Sequence, residues 1–228
     1  MRAAVFGNIG DSDSGLVGRY LDSHGFQLLE FPREYPRGWN SIAGIDLVLL
    51  LGSEWSVYSS GPRIQVQAES DFVLSAIQRG VPVFGICFGA QLISQIFGGT
   101  VSRALQPELG WCSINSPSFS EVLERKWFQW HYDVFTAPHG FKAVAANESG
   151  TQAMVSERVL AVQFHPEVTM EILERWSGGT GRTELLRSGV DVRQLLEDSI
   201  SYLSESENSA RKLLDWFINR VNSPKVND

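Results

Sequence analysis

The stretch Val81-Pro82-Val83-Phe84-Gly85-Ile86-Cys87-Phe88-Gly89-Ala90-Gln91 decides the reading of this chain. Val81 to Ile86 is a short apolar run. Phe88 to Phe97 is an apolar segment of helical length, closed by Gly98-Gly99. The spacing predicts a strand, a sharp turn at Cys87 and a helix. A glycine on either side of the turn suits a backbone that passes close to its neighbours. G-x-C-x-G at a strand-to-helix junction is the nucleophile-elbow pattern with sulfur in place of a hydroxyl. The helix start directs its positive end at Cys87, which favours thiolate. The Phe88 N–H faces the same point and suits a developing oxyanion.

The same texture extends to both sides. Ala3-Ala4-Val5-Phe6, Phe26 to Phe31 and Asp46 to Leu51 read as further strands, the last a continuous apolar run ending at Gly52. Such runs suit strands buried on both faces of a parallel sheet. Between them, Leu16, Val17, Tyr20 and Leu21 recur at helical spacing, as do Val66, Phe72, Val73, Ala76 and Ile77. Strand and helix in alternation predict an open, mostly parallel sheet with helices on both faces. After Gly99 short β-like pieces follow, at Thr100–Arg103, Trp111–Asn115, Lys142–Ala146, Ala153–Ser156 and Val159–Phe164. From Glu171 the chain reads as helical, interrupted at Gly178-Gly179-Thr180-Gly181. In the stretch from Ala210 to Val221, one face carries Leu213, Leu214, Phe217, Ile218 and Val221 and is expected to dock on the domain.

Composition narrows the functional classes. The chain has 228 residues, 43% hydrophobic and 20% charged, with a formal net charge of −7. The length fits one domain with an appendage and a core that needs no disulfide or metal. The negative balance argues against a phosphate-backbone partner. The N-terminus does not read as a signal peptide, and no apolar run approaches membrane-spanning length. A soluble, cytoplasmic protein without nucleic-acid or membrane partners is expected. The 2 cysteines are Cys87 and Cys112. Neither a disulfide scaffold nor a Cys-rich zinc site is expected, and no metal or other cofactor is implied. Cys112 lies mid-strand without flanking glycines and reads as structural.

A nucleophilic cysteine needs a base, and the base an orienting group. Gln163-Phe164-His165-Pro166-Glu167 closes the strand that starts at Val159. On continued strand geometry His165 and Glu167 share a side, and Pro166 stiffens their spacing. Glu167 is then placed to hold one tautomer of His165. His24 and His139 read as turn histidines. Gly52-Ser53-Glu54-Trp55 begins a loop on the carboxyl side of the parallel sheet, where ligands bind in such folds.

Together these segments resemble the class I (triad-type) glutamine amidotransferases. Residues 82–91 are similar to that family's P-x-x-G-I-C-x-G-x-Q signature, and His165-Pro166-Glu167 to its H-P-E. Gly52 to Tyr58 resembles its oxyanion loop, usually Gly-Gly-Pro-x-Ser-Val, with Ser53-Glu54 standing where Gly-Pro is usual. Glu108-Leu109-Gly110-Trp111 and Trp130-His131-Tyr132-Asp133, read as a loop, are similar to further segments of the family. The resemblance implies a flavodoxin-like α/β fold over residues 1–170, with added short strands, and a helical extension, 171–228, packed on the same domain. It also implies a Cys87–His165–Glu167 triad that cleaves glutamine or another γ-glutamyl amide through a thioester. Gly52, Ser53 and Phe88 would form the oxyanion hole. Gln91, His131 and Asp133 would help hold the substrate. Trp55, in the same loop, is the expected specificity residue.

The helical tail is similar to that of stand-alone, guanylate-synthase-like members, which points to action without a partner. The alternatives are a glutaminase subunit serving a separate synthetase and a non-catalytic module on the same fold. No G-x-x-x-x-G-K-[ST] phosphate loop is present in the sequence. An α/β-hydrolase with a cysteine elbow is disfavoured, because its acid precedes the histidine in the chain.

Overall fold

The computed structural model describes residues 1–117 and 119–223. Strands β1 (Arg2–Gly7), β2 (Gln27–Pro32), β3 (Leu47–Leu50) and β4 (Val83–Ile86) alternate with helices α1 (Gly15–Ser23), α2 (Arg63–Gln78) and α3 (Phe88–Ile96). There follow β5 (Val101–Ser113), α4 (Ser120–Leu123), β6 (Lys126–Phe135), β7 (Lys142–Asn147), β8 (Gly150–Ser156) and β9 (Val159–Val162). Helices α5 (Met170–Trp176), α6 (Gly179–Arg187) and α7 (Val192–Asn222) complete the described chain. The 7-stranded sheet runs β2-β1-β3-β4-β9-β8-β7. Its first five strands are parallel, and β8 and β7 extend it antiparallel.

The period-2 pleat sorts each apolar run into two cores. From β3 and its end, Leu47, Leu49 and Leu51 enter one cluster with Phe84 and Ile86 of β4. Val48 and Leu50 enter the opposite cluster with Val83 and with Phe88, Leu92 and Ile93 of α3. The first cluster is covered by α1 and by the end of α7, where Leu213, Leu214, Phe217 and Val221 are buried. Phe217 packs against Phe84 with ring centroids 5.8 Å apart. Burial of a side chain of this size stabilises by about 1.5–3 kcal/mol.

The order of strands reverses between β1 and β3, so the loops after them diverge and leave a crevice at the carboxyl edge of the sheet. The elbow opens onto that edge. A Cβ on Gly85 would lie 2.8 Å from the Gly89 backbone, and one on Gly89 would lie 2.6 Å from the Leu50 carbonyl oxygen. Only glycine lets β4, α3 and β3 approach this closely.

The middle of the chain departs from the sequence reading. Thr100–Arg103 and Trp111–Asn115 read as separate strands. Residues 101–113 instead form one strand, irregular between Arg103 and Glu108, which pairs with β6 in a ribbon outside the main sheet. The sequence pattern does not predict β6, because Trp127 to Tyr132 is rich in large aromatics with no clean alternation. His131 and Asp133, read as loop residues, lie on it. Strand β9 ends at Val162, so Gln163 to Glu167 leave the strand. In the tail, the break lies at Ser177-Gly178, and Gly179 to Gly181 form the first turn of α6. The docking stretch from Ala210 is the end of a 31-residue helix, α7, capped at its start by Asp191.

Candidate active site

Cys87 is the residue where β4 becomes α3. It adopts φ 51° and ψ −105°, and among the described residues it is the one non-glycine with positive φ. The elbow holds because its neighbours over-determine it: the Cys87 N–H donates to Val162 O at 2.8 Å, and the Gln91 N–H donates to Cys87 O at 3.0 Å. Backbone strain of this kind clusters at active sites and ligand clamps. The Phe88 N–H belongs to the first turn of α3, where an amide has no intrahelical partner.

His165 is carried beside Cys87 by two supports. Its N–H donates to Phe128 O of β6 at 2.9 Å, and the Leu16 N–H at the start of α1 donates to Glu167 O at 2.9 Å. Both side chains are buried, and His165 Nδ1 lies 2.7 Å from Glu167 Oε1. That contact directs Nε2 toward Cys87. The Nε2 atom is itself buried without a hydrogen-bond partner. Burial alone would lower the proton affinity of the His165 ring. The charge of Glu167 and then that of Cys87 outweigh it, and the imidazole is held protonated well above its usual range. The ring of Trp176 meets His165 edge-on, with centroids 5.0 Å apart.

The Gly52 loop closes the other side. A Cβ on Gly52 would stand 3.0 Å from His165 Cε1 and 3.7 Å from Cys87 Cβ, so the backbone of this loop borders the pair. Ser53 turns its hydroxyl away from the cysteine: Oγ donates to Asn8 Oδ1 at 2.7 Å and accepts from the Trp55 N–H at 3.1 Å. Cys87, Gly52, Ser53, Trp55, Gln91, His131, Asp133, His165 and Glu167 all border one cleft of about 430 Å³.

Their side chains differ in freedom. Asp133 accepts from Ser56 Oγ at 2.5 Å and from Tyr58 OH at 2.8 Å, and so fastens the loop after Gly52 to β6. His131 is held by Glu108 Oε2 at 3.0 Å and by its own strand at Asp133 O. Gln91 is buried, with Nε2 at 3.4 Å from both Asp133 O and Gln163 Oε1.

Some residues of the site stand without a role inside the quoted segments, as Gln163 and Trp130 do, and others, as Trp176, lie outside them. Gln163, fully buried, donates from Nε2 to Cys87 Sγ at 3.5 Å. Trp130 and Trp176, from β6 and α5, stand nearly perpendicular and form an aromatic wall of the cleft. Arg33 and Glu69 form an ion pair that is 0% and 1% exposed. A signal for Glu69 existed: with Val66, Val73 and Ala76 it falls on the buried face of α2, a place where a charge must have a partner. Among the described residues no group of His, Cys, Asp or Glu is arranged to hold a metal ion, and no helix is long and apolar enough to cross a membrane.

Residues 10–175 match the family described as "Glutamine amidotransferase class-I". Among curated proteins, the chain is 34% identical over 193 residues to a GMP synthase [glutamine-hydrolyzing] of Bdellovibrio bacteriovorus, covering 78% of this chain and 36% of that protein. It is 31% identical over 164 residues to the enzyme of the same name from Aeropyrum pernix, covering 66% of this chain and 30% of that protein. The chain thus spans about a third of the length of these relatives. A shorter relative, a glutamine-hydrolysing GMP synthase subunit of Saccharolobus solfataricus, is 36% identical over 133 residues, covering 54% of this chain and 68% of that protein. Among solved structures, a glutamine amidotransferase from Thermotoga maritima superposes with a TM-score of 0.85 at 25% identity. That match covers 98% of this chain and 99% of the other.

Proposed function

Because the chain belongs to the class-I glutamine amidotransferase family, we propose that it hydrolyses the side-chain amide of glutamine or a related γ-glutamyl amide, with Cys87 as nucleophile. One observation carries the reading: a strained cysteine at a helix start faces a buried, unpartnered histidine nitrogen whose ring is fixed by a buried carboxylate.

His165 already holds the proton on Nε2, and Sγ attacks the amide carbon as the thiolate. The carbonyl oxygen takes the negative charge and turns toward the Phe88 N–H and the amides of the Gly52–Ser53 segment. As the C–N bond breaks, His165 gives its proton to the leaving nitrogen, and a thioester remains on Cys87. His165 then takes a proton from water, which attacks the thioester. The C–S bond breaks, the γ-carboxyl proton passes to the released ammonia, and the γ-carboxylate leaves the Cys87 thiolate facing the His165 imidazolium as at the start. Glu167 holds Nδ1–H toward itself and stabilises the imidazolium at each proton transfer. Gln91, His131 and Asp133 shape the far end of the substrate site, and Trp55 borders it.

Hydrolysis by this chain without a partner is the first reading. The second is delivery of ammonia to a synthetase, favoured by the matches to proteins named GMP synthase, of which this chain spans about a third. The test is release of glutamate from glutamine and from a panel of γ-glutamyl amides by purified wild-type and Cys87→Ala proteins. Turnover by the wild type alone supports the first reading. Activity that appears only with an added synthetase supports the second. Equal turnover by both proteins overturns the triad.

A further inference from the structure

We propose that Arg33, at the end of β2, is the positioning residue of the oxyanion hole, an inference that rests on the hydrolytic reading of Cys87. Its side chain is fully buried. All five guanidinium hydrogens are matched. Nε donates to Glu69 Oε2 at 2.8 Å, and Nη2 donates to Glu69 Oε1 at 3.1 Å and to Leu51 O at 2.8 Å. Nη1 donates to Gly52 O at 2.8 Å and to Asn8 Oδ1 at 3.2 Å.

Two of these acceptors are the carbonyls of the loop that borders Cys87. A trans peptide is planar, with its C=O and N–H pointing in opposite directions. Anchoring Leu51 O therefore fixes the Gly52 N–H, and anchoring Gly52 O fixes the Ser53 N–H, each aimed away from Arg33. The third candidate donor, the Phe88 N–H, belongs to a residue whose ring lies under the same guanidinium, 4.7 Å from Cζ. One rigid planar cation thus touches the backbone or the ring behind every amide assigned to the oxyanion. Asn8 Oδ1 accepts from both Arg33 Nη1 and Ser53 Oγ, which ties the serine of the loop to the same hub.

A charge buried this deeply costs stability unless it is fully paired, and well-packed apolar residues hold such a place as well or better. The pair's role is then geometric. A lysine keeps the charge opposite Glu69 but lacks the planar fork that reaches two carbonyls at once.

The test is steady-state kinetics of Arg33→Lys alongside the alkylation rate of Cys87 by iodoacetamide, a reaction that develops no oxyanion. The expected result is a fall in kcat of about 100-fold, with KM and the alkylation rate close to wild type. The double variant Arg33→Met with Glu69→Met removes the charge pair without leaving either partner alone. Shown folded by circular dichroism, it should still have a low kcat, because Leu51 O and Gly52 O lose their anchor, and it answers the question where the lysine variant does not fold. A folded Arg33→Lys protein with undiminished kcat overturns the inference, as does parallel loss of kcat and alkylation, or recovery of kcat in the double variant. Wild-type protein inactive on every amide, with or without a synthetase, overturns the hydrolytic reading and this inference with it. An active wild type beside an equally active lysine variant overturns this inference alone.

Discussion

Cys87 and Cys112 lie in two regions built on different terms. Cys87 sits where the parallel sheet ends, at a backbone turn that only close packing against Val162 and Leu50 can hold, with a helix start ahead of it. Cys112 sits in a regular stretch of the β5–β6 ribbon, opposite Trp127. Burial and then the nearby charge of Glu108 push its thiol up to about 11. Both regions shelter a sulfur from solvent. Only the first surrounds it with donors and a buried imidazole. Burial is common to both; what differs is which groups face the sulfur, the start of α3, Gln163 and the His165 ring at Cys87 and the Glu108 carboxylate at Cys112.

The strongest test of this contrast is deletion of each sulfur. Cys87→Ala is expected to lower kcat for γ-glutamyl hydrolysis by at least about 10⁴-fold, while Cys112→Ser leaves it unchanged. Glutamate release measured on both variants decides it, and comparable losses would erase the distinction. Next in size is the orienting carboxylate. Glu167→Gln should cost about 10³-fold in kcat with the fold retained, because the histidine loses its fixed tautomer and its counter-charge. Stopped assays together with circular dichroism separate that result from unfolding.

The elbow's geometry can be tested apart from its chemistry. Gly89→Ala places a methyl group 2.6 Å from the Leu50 backbone and should destabilise the protein by about 1–3 kcal/mol. Gly61→Ala, in open space, should change stability by less than about 0.5 kcal/mol. Urea midpoints of the two variants make the comparison.

The smallest effect concerns Cys112 itself. A thiol whose proton is held up to about 11 is still a thiol at pH 8, with a thiolate fraction of about a thousandth. Iodoacetamide at that pH should therefore label Cys87 and spare Cys112. Labelling of Cys112 should rise only as the pH approaches 11, read by peptide mass. Early labelling of Cys112 would show that the Glu108 side of the ribbon does not suppress ionisation.

Much of the first region was legible in the sequence. Strand, elbow and helix follow from the apolar run, the paired glycines and the helical spacing of residues 81–97, all of which are local. The ribbon was not. Its partners are distant segments with aromatic sequences, and the pairing of Leu109 with Trp130 depends on which segments meet. His131 and Asp133 were picked out by resemblance, yet their place on a strand, with Asp133 holding Ser56 and Tyr58, came only from that pairing. Trp176 reaches His165 from α5, and nothing in its own neighbourhood announces it, while Gln163, two residues before His165, reaches Cys87 only because the chain turns after β9.

Residue type and period alone gave a mostly parallel α/β sheet, a cysteine at a sharp turn between two glycines, and a histidine and glutamate two residues apart, because each is a short-range feature. That the Cys112 thiol keeps its proton, that His165 is buried with one nitrogen unpartnered, that the Cys87 backbone is strained and that Arg33 reaches the backbone of the Gly52 loop follow from the assembled fold. Charge, burial and hydrogen bonding at a site are sums over groups from every element that meets there. The chain order of those groups does not record which of them become neighbours.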